Sequence, residues 1–201
     1  MNYIAIDTSG DHLTVVAVKD GKTYTFFDRD CKTRHSERLM EETEKLCLKA
    51  GFKPKDADFF AVVTGAGSFT GIRIGLATVK AMCYAHKKPC LSITSFDTIA
   101  YNKDSGKVLS LIDAGHGGYY ICGYENGKVT VSPSYVLKKD LEKYRDYRFL
   151  AAEGANIDGA EEVSVVTGLM RAAELKKDTA TYDLEKVNPL YVRKSQAEEG
   201  R

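Results

Sequence analysis

Asp7 and Asp113 are the residues most suited to chemistry. Each ends an apolar run and is followed by small residues, as Ile6-Asp7-Thr8-Ser9-Gly10 and Ile112-Asp113-Ala114-Gly115. Two carboxylates facing each other across a cleft can hold a divalent cation that bridges phosphate oxygens. An Asp at a strand end also caps the turn behind it through its own backbone amides, so each position has a structural reading as well. A third candidate is Val62-Val63-Thr64-Gly65-Ala66-Gly67-Ser68-Phe69-Thr70-Gly71-Ile72-Arg73-Ile74-Gly75-Leu76-Ala77. A β-type run ends at Thr64, a glycine-rich loop follows, and a helical pattern opens near Thr70, with Ser68 and Thr70 as natural caps. Strand, bare-backbone loop and helix N-terminus are the layout of a phosphate site. The spacing fits neither common phosphate motif: no Lys-Ser/Thr follows Gly71, and the glycines at 65, 67 and 71 miss G-x-G-x-x-G by one residue. The same glycines equally suit a loop against which another backbone packs closely.

The other reactive residue types form no recognisable constellation. His12, His35, His86 and His116 include no i, i+4 pair and no H-E-x-x-H, and no G-x-S-x-G elbow is present. His35 stands just before a helix start, placed to cap it or to touch a partner. The five cysteines are odd in number, widely spaced and free of C-x-x-C, and Cys47 and Cys83 fall in helical apolar patterns as core or interface residues. Neither a metal site nor a cofactor is predicted.

The elements that would position these residues occur twice. Asp7 aligns with Asp113, Gly21 with Gly127 and Lys22 with Lys128 without a gap, and Asp-Gly and Asn-Gly are preferred hairpin turns. Each block reads as three strands, after which the period becomes helical. Leu39, Met40, Thr43, Leu46, Cys47 and Ala50 predict a helix over 36–50, N-capped by Ser36 and stopped by Gly51. Strands are predicted at 59–63 and 90–94, with helices over 70–86 and 95–101. The second half repeats this more sparsely, with a helix near 140–144, strands at 148–151 and 163–167, and a helix over 168–176. Val165-Val166-Thr167-Gly168 echoes Val62-Val63-Thr64-Gly65. A doubled β-β-β-α-β-α unit resembles the actin-like (ASKHA) ATPase fold, predicting an α/β protein with subdomains at 1–101 and 106–201, the second reduced.

A chain of 201 residues, 43% hydrophobic and 28% charged, reads as globular. Lys+Arg 29 against Asp+Glu 28 leaves a net charge of +1, so a protein that grips RNA through overall basicity is not expected, although a local basic patch is compatible with that balance. With no signal-type segment and no membrane-length apolar run, the expected location is the cytoplasm.

Gly-Ala-Gly-Ser-Phe-Thr-Gly-Ile-Arg-Ile-Gly-Leu-Ala-Thr (65–78) resembles the bacterial TsaB (YeaZ) family, as do Ile4-Ala5-Ile6-Asp7-Thr8-Ser9, His35-Ser36-Glu37-Arg38-Leu39 and Pro189-Leu190-Tyr191-Val192-Arg193. The pieces lie in the family's order across nearly the whole chain. The resemblance implies a non-catalytic scaffold and activator of TsaD in tRNA N6-threonylcarbamoyladenosine formation. TsaE, an ATPase, would join that assembly, the chain would form a homodimer in isolation, and tRNA would be met only indirectly. The similar catalytic paralogue TsaD carries a His-x-x-x-His metal motif where this chain has Ser95 and Ile99, and neither side chain replaces imidazole on a transition metal. Asp7, Thr8, Ser9 and Asp113 would then be vestigial phosphate-site residues. The helix over 70–86 is apolar on more than one side, and the family's helical interface maps onto His35, Leu39, Ile72, Arg73, Leu76, Val79 and Cys83. The alternative is an independent actin-like ATPase or small-molecule kinase using Asp7 and Asp113.

Overall fold

The structure, a computed structural model, describes residues 1–193. The first half forms β1 (Tyr3–Asp7), β2 (Leu13–Lys19), β3 (Lys22–Asp28), α1 (His35–Ala50), β4 (Phe59–Val63), α2 (Phe69–His86), β5 (Cys90–Ile93) and α3 (Ser95–Ala100). The second half forms β6 (Lys107–Gly115), β7 (Gly118–Glu125), β8 (Lys128–Leu137), β9 (Arg148–Ala152), β10 (Glu161–Val163) and α4 (Val165–Lys176).

The sequence echo is an echo of topology. The first sheet has the order β3-β2-β1-β4-β5 and the second β8-β7-β6-β9-β10. In each, the first three strands are antiparallel neighbours and the last two run parallel to the first. Asp20-Gly21 and Asn126-Gly127 both take positive φ, the conformation their hairpin turns require. This doubled sheet is the actin-like plan. The second half lacks the outer helices: a 3-10 segment, Lys138–Tyr144, replaces the counterpart of α1, and a loop joins β9 to β10 where the first half has α2.

Three local expectations are corrected. Ser36 does not cap α1; the N-cap is Arg34, without a side-chain bond, and the helix opens at His35. Residues 165–167 are helical, not a strand, because the Ser164 hydroxyl accepts from the Thr167 amide and starts α4 there. The echo of 62–65 at 165–168 is therefore one of letters only. Gly168 serves packing: a Cβ there would overlap the Thr98 carbonyl oxygen of α3.

Apolar side chains sort the layers. Ile4, Ile6, Val15, Phe60 and Val62 face α1 and α2 on one side of the first sheet. Tyr3, Ala5, Val16, Ala61 and Val63 face Leu169, Ala172 and Ala173 of α4 on the other. The last helix of the second half thus covers the sheet of the first. A third cluster joins Phe96 and Ile99 of α3 to Val108, Cys122 and Leu150 of the second sheet. At this joint the Asp97 carboxylate, 3% exposed, accepts from Tyr124 Oη (2.9 Å), Lys176 Nζ (2.6 Å) and the Thr94 amide (2.8 Å). Burial, with the Asp97 charge beside it, raises the Tyr124 pKa and keeps that phenol a donor.

Candidate functional site: the cleft between the two sheets

A cleft of about 740 Å³ opens between the lobes, lined by Asp7, Ser9, His12 and Arg29, by Gly67 and Ser68 of the glycine loop, and across it by Asp113 and Glu153. Topology brings the two aspartates there, since β1 and β6 are equivalent central strands. Their surroundings differ. Asp7 is 1% exposed. One of its oxygens accepts from the Ser9 amide (2.8 Å) and the Ser9 hydroxyl (2.7 Å), and the other meets His12 Nε2 at 3.1 Å. Burial alone would raise the Asp7 pKa, but the His12 charge and the bonds from His12 and Ser9 outweigh it and hold the carboxyl below its usual range. Burial likewise opposes a charged His12, yet Asp7, Glu153 and Asp11 push its pKa up. Asp113 is exposed, and its carboxylate accepts from the Gly115 amide at 2.8 Å, capping its own turn.

The glycine loop is occupied by protein. The Ser68 amide donates to the Ser9 carbonyl at 2.6 Å, and the Thr8 hydroxyl donates to the Gly71 carbonyl at 2.7 Å. A Cβ at Gly67 would overlap the Ser9 carbonyl oxygen, and one at Gly71 the Thr8 carbonyl oxygen. The β1–β2 hairpin therefore stands against the start of α2, where a phosphate-binding loop would face its anion. Ser68 does cap α2, accepting from the Gly71 amide at 3.2 Å. On the opposite wall, the Gly154 and Asn156 amides are taken by the Glu162 carboxylate.

Ser95 and Ile99 are 6% and 2% exposed. Ser95 Oγ lies 2.9 Å from Ser9 Oγ. Ser9 and His12 bind different oxygens of Asp7, so they do not form the hydroxyl–imidazole pair that nucleophilic catalysis needs. Among the described residues, no group of three His, Cys, Asp or Glu side chains converges to hold a metal ion.

The interface residues need correction. Ile72, Leu76, Val79 and Cys83 are 0–5% exposed because they face the first sheet in the chain's own core, so no contact can centre on them. Leu39 lies in that core too, and buried His35 bonds the His12 carbonyl through Nε2 at 2.8 Å, bracing the hairpin. Arg73 alone of the set is exposed. Its guanidinium lies 3.8 Å from the Phe69 ring centroid and donates through Nε to Tyr191 Oη at 3.0 Å, while Tyr191 stacks on Phe69 at 4.6 Å. The Leu190 amide donates to the Thr64 carbonyl, so Pro189–Arg193 straps the glycine loop. Two roles escaped sequence reasoning. His12 pairs with Asp7 across the hairpin turn, a proximity implied by any β1–β2 pairing, and Tyr191 has no local signal beyond its family-like string.

The family model for TsaD, tRNA N6-adenosine threonylcarbamoyltransferase, matches residues 26–158. The chain belongs to this family. It is 29% identical over 131 residues to the Bacillus subtilis tRNA threonylcarbamoyladenosine biosynthesis protein TsaB, covering 63% of this chain and 57% of that protein. Escherichia coli TsaB is also 29% identical, over 134 residues, with 63% and 58% covered. The matched region thus spans a little over half the length of these relatives. In structure, YeaZ from Pseudomonas aeruginosa aligns with a TM-score of 0.75 at 19% identity, covering 94% of this chain and 99% of that one. A second Pseudomonas aeruginosa structure, described as similar to the peptidase YeaZ, gives 0.80 at 19% identity, with 96% and 99% covered. At that identity these two speak for the fold. No helix among the described residues is long and apolar enough to cross a membrane.

Proposed function

We propose that this chain is a TsaB-type, non-catalytic partner of TsaD in forming N6-threonylcarbamoyladenosine on tRNA. The observation that carries the reading is the filled loop: carbonyls of Thr8 and Ser9 occupy the approach to Gly67 and Gly71. A nucleotide phosphate at the start of α2 would have to displace the hairpin. The buried Ser95 and Ile99 fit the same reading, since neither supplies a metal ligand.

The partner surface that remains is the outer face of α2. Arg73, Ala77, Ala81 and Ala85 are exposed there, Tyr84 is 83% exposed, and Ile74 is partly covered. On α1, which covers the same side of the sheet, Met40 and Leu48 are 54% and 75% exposed. Small residues let a second helix approach closely, with Tyr84 as an aromatic anchor. That face would serve TsaD and, in isolation, a second copy of the chain; TsaE would join the TsaB–TsaD assembly.

The test is co-elution with TsaD and reconstitution of threonylcarbamoyl transfer. The chain alone is expected to be inactive and to hydrolyse ATP no faster than background, and adding it to TsaD, TsaE and the threonylcarbamoyl donor should raise transfer. ATP turnover by the chain alone, abolished by Asp7→Ala, would instead establish the independent ATPase or kinase reading. Ala81→Glu on the outer face should break both pairings while the circular dichroism spectrum stays native.

A further inference from the structure

The end of the first lobe away from the cleft carries a concentration of unpaired positive charge. The parallel strands β1, β4 and β5 all begin there, at Tyr3, Phe59 and Cys90, and α1 and α2 both finish there, at Ala50 and His86. Lys49 lies in the last turn of α1, while Lys53 and Lys55 belong to the 3-10 turn leading into β4. Lys80 stands near enough to the start of β5 for its charge to act on Cys90, and Lys87 and Lys88 follow the end of α2. None of these six has an ion-pair partner among the described residues, and four of them, Lys49, Lys53, Lys55 and Lys87, are exposed. Lys19 and Lys22, facing each other beside the β2–β3 turn, add to the same end. Carboxylates at that end include Asp20, Asp56, Asp58, which is already bonded to the Asn2 amide at 2.7 Å, Asp178 in the 3-10 turn that packs on β5, and Glu174, whose charge acts on Tyr3 at the start of β1. Most arginines, in contrast, are tied up in pairs elsewhere, such as Arg38 with Glu42 and Arg148 with Glu161.

We propose that this lysine-rich end docks the phosphate backbone of a structured RNA. The commitment to RNA, rather than another polyanion, rests on the reading above that the chain serves tRNA modification. The patch suits phosphates for two further reasons. Lysine is depleted in the cores of protein–protein interfaces but neutralises backbone phosphates as a point charge, without reading sequence. The patch also adjoins the α2 face assigned to a protein partner, so both surfaces lie on the same side of the first lobe. A net charge of +1 keeps the contact weak for the isolated chain.

The experiment is fluorescence anisotropy of labelled tRNA transcript with the full chain across a salt series. Wild type is compared with Lys49→Glu/Lys53→Glu/Lys55→Glu/Lys88→Glu and with a control reversing Lys128, Lys138, Lys139 and Lys143 of the second lobe. The patch variant is expected to weaken binding at low salt roughly tenfold or more and to flatten the salt slope by about one for each phosphate no longer neutralised. The control should bind within about twofold of wild type if the location of the charge matters more than its sum. Equal losses in both variants, no salt dependence in wild type, or competition by poly-glutamate as effective as by unlabelled tRNA would overturn the proposal. TsaD co-elution is read on the same proteins. Its failure with wild type would count against the partner reading alone, whereas its retention in the patch variant, with RNA binding lost, separates the two surfaces.

Discussion

The hairpin that carries Asp7 and the hairpin that carries Asp113 are the same element folded twice, and they have met different fates. Both follow the central strand of a five-stranded sheet and both face the cleft. Asp7 is locked into a buried array with Ser9 and His12, and its hairpin is driven against the glycine loop until Thr8 and Ser9 fill it. Asp113 sits in the open and holds only its own turn. Without counterparts of α1 and α2, the second lobe has no glycine loop for its hairpin to press on. Equivalent topological positions thus serve as a structural keystone in one half and a simple turn cap in the other.

The largest expected effect comes from prying the first hairpin off its loop. Gly71→Ala sets a methyl into the Thr8 carbonyl, which has no rotamer to yield, and should cost about 4 kcal/mol or prevent folded protein from accumulating. Chemical denaturation decides it, and a cost under about 1 kcal/mol would mean that the hairpin is not seated as described.

Next comes the aspartate contrast itself. Asp7→Asn leaves His12 facing a neutral amide inside a buried array and should destabilise by about 3 kcal/mol. Asp113→Asn, which keeps a turn-capping oxygen, should change stability by less than about 0.5 kcal/mol. Equal effects would erase the distinction between the halves.

A pH titration sharpens the same contrast. A lowered folded-state pKa, as at Asp7, stabilises above the unfolded value and loses that contribution as pH falls through the folded one. A raised one, as at His12, stabilises below the unfolded value of 6.5 and loses its contribution as pH rises through the folded one. The pair therefore contributes most between the two, and stability should decline as pH moves from the usual imidazole range into the alkaline. Asp7→Asn should abolish that slope and Asp113→Asn should retain it.

The smallest effect concerns the strap. Tyr191→Phe removes the acceptor for Arg73 Nε but keeps the ring stack on Phe69, and should cost about 0.5–1 kcal/mol by thermal unfolding. An effect above about 2 kcal/mol would give the strap a larger share in holding the loop than one exposed hydrogen bond provides.

Much of the fold was legible because it is written in local periods. Alternation, the two hairpin turns and the capping at Ser68 set the first-lobe strands and α2 to within a residue or two, while the strand expected at 163–167 lies at Glu161–Val163. The glycine string was also legible as a close-packing loop, although what packs there, the Thr8–Ser9 backbone, is a non-local fact. An all-round apolar helix does not say which of its stripes meets its own sheet. Ile72, Leu76, Val79 and Cys83 form the stripe that meets the first sheet, leaving Ala77, Ala81 and Tyr84 outside. The start of α4 was missed for a different reason. Val165-Val166-Thr167 reads as β by propensity, and the cap from Ser164 with the fit of Gly168 against α3 overrode it.

The return of α4 to the first sheet has a consequence for synthesis. The face formed by Tyr3, Ala5, Val16 and Ala61 has no cover from the first half of the chain; it is closed by Leu169, Ala172 and Ala173. On a ribosome the earliest strands are made first, yet their second apolar face stays bare until Val165–Lys176 has left the exit tunnel. The amino-terminal half therefore cannot mature as a vectorial unit ahead of the rest. The nascent chain must wait, with half a core, until α4 has been made.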